Sequence, residues 1–132
     1  ALQPGLGTDR KAVPTCIVPA PTSLGSGRAG LRELLARDPG IDAVFCSSDM
    51  MAQGVLLEAL ALGIKVPEQL AVVGLGDLAF SRDLHPPLTT VRIDGTAIGS
   101  TAAQLIIDRA EGRPVEAPVR DVGFVIVERG SS

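Results

Sequence analysis

The chain has 132 residues, a formal net charge of −3, and 45% apolar residues. That length fits one domain with a real core, and the composition excludes disorder and low complexity. Twelve Lys and Arg without a basic block leave no electrostatic footprint for nucleic acid, and no run approaches the roughly eighteen apolar residues of a membrane span.

Three Phe, with no Trp or Tyr, leave most packing to Ala, Gly, Leu and Val. Ala1 to Arg10 lacks the basic, apolar and small-residue order of a signal peptide. Residues 1–12 read as irregular. Gly5-Leu6-Gly7-Thr8 shares only two glycines with a dinucleotide loop, and no strand precedes it.

Val13 to Val18 predicts a first strand despite Pro14, and Pro19 to Ser23 a loop. A helix follows from Gly25 or Ser26 to Arg37, with Leu31, Leu34 and Leu35 on its apolar side and Pro39-Gly40 as its stop. Asp42 to Cys46 predicts a short strand. Ser47-Ser48-Asp49 then turns into a second helix reaching Leu62, with Ser48 or Asp49 as its cap and Gly63 at its end. Leu70 to Val73 is a strand apolar on both sides, as a helix-covered parallel sheet requires. Gly74-Leu75-Gly76-Asp77 reads as the loop after it, and Ala79 to Leu84 as a short helix. Leu88 to Ile93 predicts a strand, Gly95 to Arg109 a long helix, and Asp121 to Glu128 a last strand. Helices alternating with short apolar strands give the class α/β: an open, mainly parallel sheet with helices on both faces.

Ligands of such sheets bind outside the carboxyl ends of the strands. That rule selects two loops. One is Phe45, Cys46, Ser47, Ser48 and Asp49; the other is Gly74, Leu75, Gly76 and Asp77. Short hydroxyls, carboxylates and flexible glycine suit a small polar ligand, with Phe45 as an apolar wall. Capping explains Ser47, Ser48 and Asp49 equally well, turn geometry explains Asp77, and core packing explains Phe45. Catalysis has less support. The single histidine, His85, precedes Pro86-Pro87 and reads as a structural crossing. No nucleophile elbow, zinc-protease motif or phosphate loop occurs, so no catalytic residue, cofactor or metal is expected. Cys16 and Cys46, in apolar runs, read as buried thiols in a reducing compartment.

The order of several segments carries a resemblance. Ile41-Asp42-Ala43-Val44-Phe45-Cys46-Ser47-Ser48-Asp49-Met50-Met51-Ala52-Gln53-Gly54 is followed by Ala59-Leu60-Ala61-Leu62-Gly63-Ile64-Lys65-Val66-Pro67-Glu68. Then come Leu70-Ala71-Val72-Val73-Gly74-Leu75-Gly76-Asp77, Pro87-Leu88-Thr89-Thr90-Val91 and the end Val127-Glu128-Arg129-Gly130-Ser131-Ser132. Over about residues 25–132 this resembles the effector domain of the lactose-repressor family of bacterial transcription regulators. Gly-Leu-Gly-Asp, where many sugar repressors carry two acids, is most similar to gluconate-type members.

The resemblance implies a lobe of the type I periplasmic-binding-protein fold. It implies a cytoplasmic repressor: a homodimer that contacts operator DNA through a headpiece absent from this sequence and rearranges its lobes on binding a sugar or sugar acid. By the same resemblance, residues 1–132 are a truncated effector domain, mainly its carboxyl-terminal lobe, with 95–111 a crossing helix of the other lobe. Ile98, Leu105 and Ile106 on that helix would then lack their partners and invite self-association. The effector residues it implies are Phe45, Ser47, Ser48, Asp49, Gly76 and Asp77, with Asp49 as much a loop support as a contact. Gly76, lacking the acid of many relatives, points toward a sugar acid. The helix Met51 to Leu62 is the candidate dimer surface. Two other readings stand beside this one: a periplasmic sugar-binding lobe for transport, and a small α/β enzyme.

Overall fold

The computed structural model describes residues 13–114 and 119–132. Its elements are α1 (Leu24–Arg37), β1 (Ala43–Phe45), α2 (Asp49–Ala61), β2 (Ala71–Leu75), a single 3-10 turn over Ala79–Arg82, β3 (Thr89–Arg92), α3 (Gly95–Ala110) and β4 (Val125–Val127). The sheet order is β1-β2-β3-β4. The first three strands are parallel, with Phe45 opposite Val73 and Gly74 opposite Thr90. β4 runs antiparallel to β3, with Val127 opposite Thr90. The mainly parallel α/β class is as the sequence predicts.

Helix α1 starts where its cap dictates. The Ser23 hydroxyl accepts from the Ser26 amide at 3.1 Å, and the Ser26 hydroxyl accepts from the Ser23 amide at 2.7 Å, a reciprocal capping box. Ser48 caps α2 by accepting from the Met50 amide at 3.1 Å. Gly63 follows α2 at φ 71°, a left-handed position that glycine takes without strain. The two helices approach closely at Gly27 and Gly54. A Cβ on Gly27 would strike the Met51 carbonyl, and one on Gly54 the Leu24 carbonyl. Glu58 fastens this crossing. Fully buried, it accepts from Arg28 Nε at 2.7 Å and Arg32 Nε at 2.5 Å. Those bonds, Arg28's first, hold its carboxyl below the ordinary range.

The core lies between these helices and one sheet face: Leu31, Val44, Cys46, Ala52, Val55, Leu56, Ala59, Leu70, Val72 and Leu88. Ser131 closes the amino end of the sheet. It is fully buried, donates to the Val72 carbonyl at 2.6 Å, and accepts from the Thr89 amide at 2.8 Å.

The structure corrects several predicted elements. Val13 to Val18 forms no strand; it stands off β1 across a mostly apolar cleft of about 300 Å³. Pro14 offers no amide to a ladder. The Thr15 carbonyl is taken by Arg37 Nη1 at 2.9 Å instead. β2 runs on through Gly74 and Leu75, which sequence reading placed in a loop, because Gly74 and Leu75 pair with Thr90 and Val91. The last strand is limited to Val125–Val127. Gly123 sits at φ 69° and its amide donates to Asp121 Oδ1 at 2.8 Å, which ends the extended run. Both cysteines are free, yet only Cys46 is buried; Cys16 is half-buried and donates to Glu33 at 3.1 Å. The glycine-rich run Gly5 to Arg10 lies outside the described residues.

Candidate functional site

Pairing of β1 with β2 sets the two selected loops side by side at the carboxyl edge. Asp49 ties them together. Its place in the sequence suits a cap, a loop support or a ligand contact. Here Ser48 takes the cap, and Asp49, fully buried as the first residue of α2, turns inward. Its Oδ2 accepts from the Leu78 amide at 2.8 Å and the Ser81 hydroxyl at 2.6 Å, and its Oδ1 from the Thr90 hydroxyl at 2.5 Å. Three donors, two from the 3-10 turn and its cap and one from β3, compensate a buried carboxylate. Gly74 makes room for it, since a Cβ there would strike Asp49 Oδ1.

Around this buried centre the other selected residues form the outer layer. Phe45 ends β1 with 61% of its surface exposed. Ser47 is exposed and its hydroxyl lies 3.9 Å from Met51 Sδ. Ser48 is half-buried under its capping bond. Gly76 is exposed at φ 131°, with its amide donating to the Val91 carbonyl at 2.9 Å.

Asp77 follows at φ 50°, a left-handed position unusual for a side-chain-bearing residue. Its amide donates to Thr90 Oγ1 at 3.3 Å, which links it through the Thr90 hydroxyl to Asp49. Its carboxylate accepts from Arg129 Nη2 at 2.6 Å and Arg92 Nη1 at 3.3 Å. The Arg129 bond is the main reason that its carboxyl lies below the ordinary carboxylate range; Arg129, Arg92 and Arg82 charges add to it. Arg129 also donates to the Leu88 carbonyl at 2.7 Å.

Sequence reading missed Thr90, Ser81, Arg92 and Arg129. For Thr90 and Arg92 a signal existed: the two-residue period of a strand puts both on one face of β3. For Arg129, 52 positions from Asp77, none did. Cys46, in the first loop, is 3% exposed, and burial, then the Asp49 charge, pushes its thiol up to about 12. Such a thiol is inert packing, not a nucleophile. Among the described residues no group of three or more His, Cys, Asp and Glu is arranged to hold a metal ion.

A mainly parallel sheet with two polar loops joined at its carboxyl edge defines the class, an α/β lobe of the periplasmic-binding type. The chain belongs to the family of periplasmic binding protein-like domains, which matches residues 8–132. It is 40% identical over 116 residues to the HTH-type transcriptional regulator GntR of Pseudomonas aeruginosa, covering 88% of this chain and 34% of that protein. It is 43% identical over 95 residues to the HTH-type transcriptional regulator CelR of Thermobifida fusca, covering 72% of this chain and 28% of that protein. Among solved structures, transcription regulator GntR from Chromobacterium violaceum superposes with a TM-score of 0.76 at 38% identity, covering 85% of this chain and 41% of that one. A CelR–cellobiose complex gives 0.76 at 39% identity, covering 83% and 34%. The chain thus spans about a third of the length of the curated relatives it matches. It corresponds to the periplasmic-binding-like part of proteins named as transcriptional regulators.

Proposed function

We propose that this chain is the effector-sensing lobe of a DNA-binding repressor, with its ligand edge at the carboxyl ends of β1 and β2. The ligand is a sugar or sugar acid. Phe45 supplies the apolar wall, and Ser47, Ser48, Gly76 and Asp77 the polar contacts. Asp49, with its carboxylate fully engaged, holds the two loops in register for that ligand. Ligand binding shifts this lobe against a second one, and the shift changes the spacing of two DNA-binding headpieces in a homodimer, a coupling of two sites.

The observation that carries this reading is the exposed Phe45 set beside a loop pair already fixed by Asp49. An exposed aromatic on a rigid polar edge is a preorganised platform for a ring or polyol face. The gluconate-type hint has one support, the exposed Gly76, which brings no carboxylate to the edge. The dimer surface falls on α2, where Leu57 and Leu60 are 42% and 77% exposed. Helix α3, which buries none of its residues and exposes Ile98, Ile106 and Ile107, is covered by the second lobe; without it, this helix drives self-association.

The test is a thermal-shift screen of the full-length protein against neutral sugars and sugar acids. The positives are then assayed for their effect on DNA binding and repeated with Phe45→Ala. A positive compound changes DNA affinity and binds Phe45→Ala about tenfold or more weakly. A compound that binds but leaves DNA affinity unchanged points instead to a transport-type binding lobe.

A further inference from the structure

We infer that Arg92 is the specificity residue of this edge and pairs with the carboxylate of an anionic effector. The inference rests on the effector-lobe reading above and deepens it. Arg92 ends β3 on the face it shares with Thr90, so its side chain lies beyond the Asp49 centre and reaches the Gly76–Asp77 turn. There, among the described residues, it makes a single long contact, Nη1 to Asp77 Oδ2 at 3.3 Å, and its side chain remains 55% exposed.

That contact does not neutralise it. The other oxygen of Asp77 is already held at 2.6 Å by Arg129, whose side chain is only 14% exposed. One carboxylate therefore faces two guanidiniums, and the buried partner makes the shorter bond. The remaining N–H donors of Arg92 stay available, arranged in the planar fork that matches a carboxylate. Gly76, next to Asp77, adds no competing acid.

Arg92 also lines an open hollow of about 540 Å³ between the Ile93–Gly95 crossing and the returning Val122–Val125 segment. That volume lies within the range of small-molecule sites. The acid on its rim, Asp94, is occupied as the cap of α3, accepting from the Ala97 amide at 2.9 Å. Arg92 thus stands as an incompletely paired cation between this hollow and the Gly76–Asp77 turn, within reach of a ligand's carboxylate at that turn.

The experiment is isothermal titration of the full-length protein and its Arg92→Gln and Arg92→Lys variants with D-gluconate, D-glucuronate and D-glucose. The wild type is expected to bind at least one acid tenfold or more tightly than glucose. Arg92→Gln is expected to lower the acid-to-glucose ratio by about tenfold or more, with Arg92→Lys restoring part of it, as loss of one charge-assisted contact requires. Urea midpoints of the variants confirm that they fold. An Arg92→Gln protein that keeps the wild-type ratio, or a wild type that prefers glucose, overturns the role of Arg92 and leaves the effector-lobe reading standing. A wild type that binds none of the three, and shifts with no sugar in the wider screen, overturns both.

Discussion

The Thr90 hydroxyl donates to Asp49 Oδ1 at 2.5 Å across 41 positions of sequence, and both side chains are fully buried. The bond ties the start of α2 to the middle of β3, on either side of the turn that carries Gly76 and Asp77. Removing either partner leaves buried polar groups without compensation. Thr90→Val is expected to cost about 1–3 kcal/mol in urea unfolding. Asp49→Ala strands three donors at once and is expected to cost more, about 3 kcal/mol or above. Asp49→Asn falls short of rescue, because its amide nitrogen turns a donor toward donors. Thr90→Val at wild-type stability would refute this account of the loop pair.

Gly74 and Gly99 make a matched pair of substitutions with opposite signs. A Cβ on Gly74 meets the Asp49 carboxylate and lies 3.1 Å from Leu88 Cδ2. Gly74→Ala is therefore expected to lose about 1–3 kcal/mol by overpacking. Gly99 lies within α3 with nothing within 4 Å of its Cβ position. In this chain taken without the second lobe, Gly99→Ala is expected to gain about 0.5–1 kcal/mol, since alanine loses less backbone entropy in a helix. Chemical denaturation of the two variants checks both signs.

Asp77 makes stability depend on pH. Its carboxyl is held below its ordinary 3.8 chiefly by the Arg129 hydrogen bond, then by the Arg129, Arg92 and Arg82 charges. A depressed folded value means that Asp77 stabilises the fold above the ordinary carboxylate range. That contribution is lost as pH falls through the folded value. Arg129→Gln is therefore expected to lower the melting temperature at pH 7, and its gap to the wild type to narrow below about pH 4. A gap that stays constant from pH 7 to pH 3 would show that Arg129 acts by packing alone.

Much of this was legible in the residues. Apolar runs and end signals placed α1, α2 and α3 to within a residue or two, with Pro39-Gly40 after α1 and Ser48 and Gly63 around α2, whereas the Ser23 cap of α1 read as loop. The strand limits were less legible, since they depend on pairing. Gly74 read as a loop from its own chemistry, yet it extends β2 because Thr90 lies opposite. Val13 to Val18 had the composition of a strand but no ladder partner. At the site, the loop residues could be named from their position after apolar strands. Their division of labour could not. Asp49 became buried structure because Ser81, Thr90 and the Leu78 amide converge on it from distant sequence. Arg92 and Arg129 entered through the same long-range convergence on Asp77.

The cysteines separate by accessibility. Burial and the Asp49 charge push the Cys46 thiol up to about 12, and it is 3% exposed. Cys16 is also raised, first by its hydrogen bond to Glu33, but it is only half-buried. Alkylation of the native protein at pH 8, read by peptide mass spectrometry, is expected to label Cys16 well ahead of Cys46. Cys46 should react only after denaturant is added. Equal labelling in the folded protein would contradict its placement under α2.

The most direct measurement is a crystal structure of the full-length protein with a compound selected by the thermal-shift screen. The compound is expected to lie against Phe45 and between the Ser47–Ser48 and Gly76–Asp77 turns, with Asp49 still bonded to Thr90 beneath it. A compound that binds elsewhere and leaves both turns bare would contradict the assignment of this edge as the sensing site.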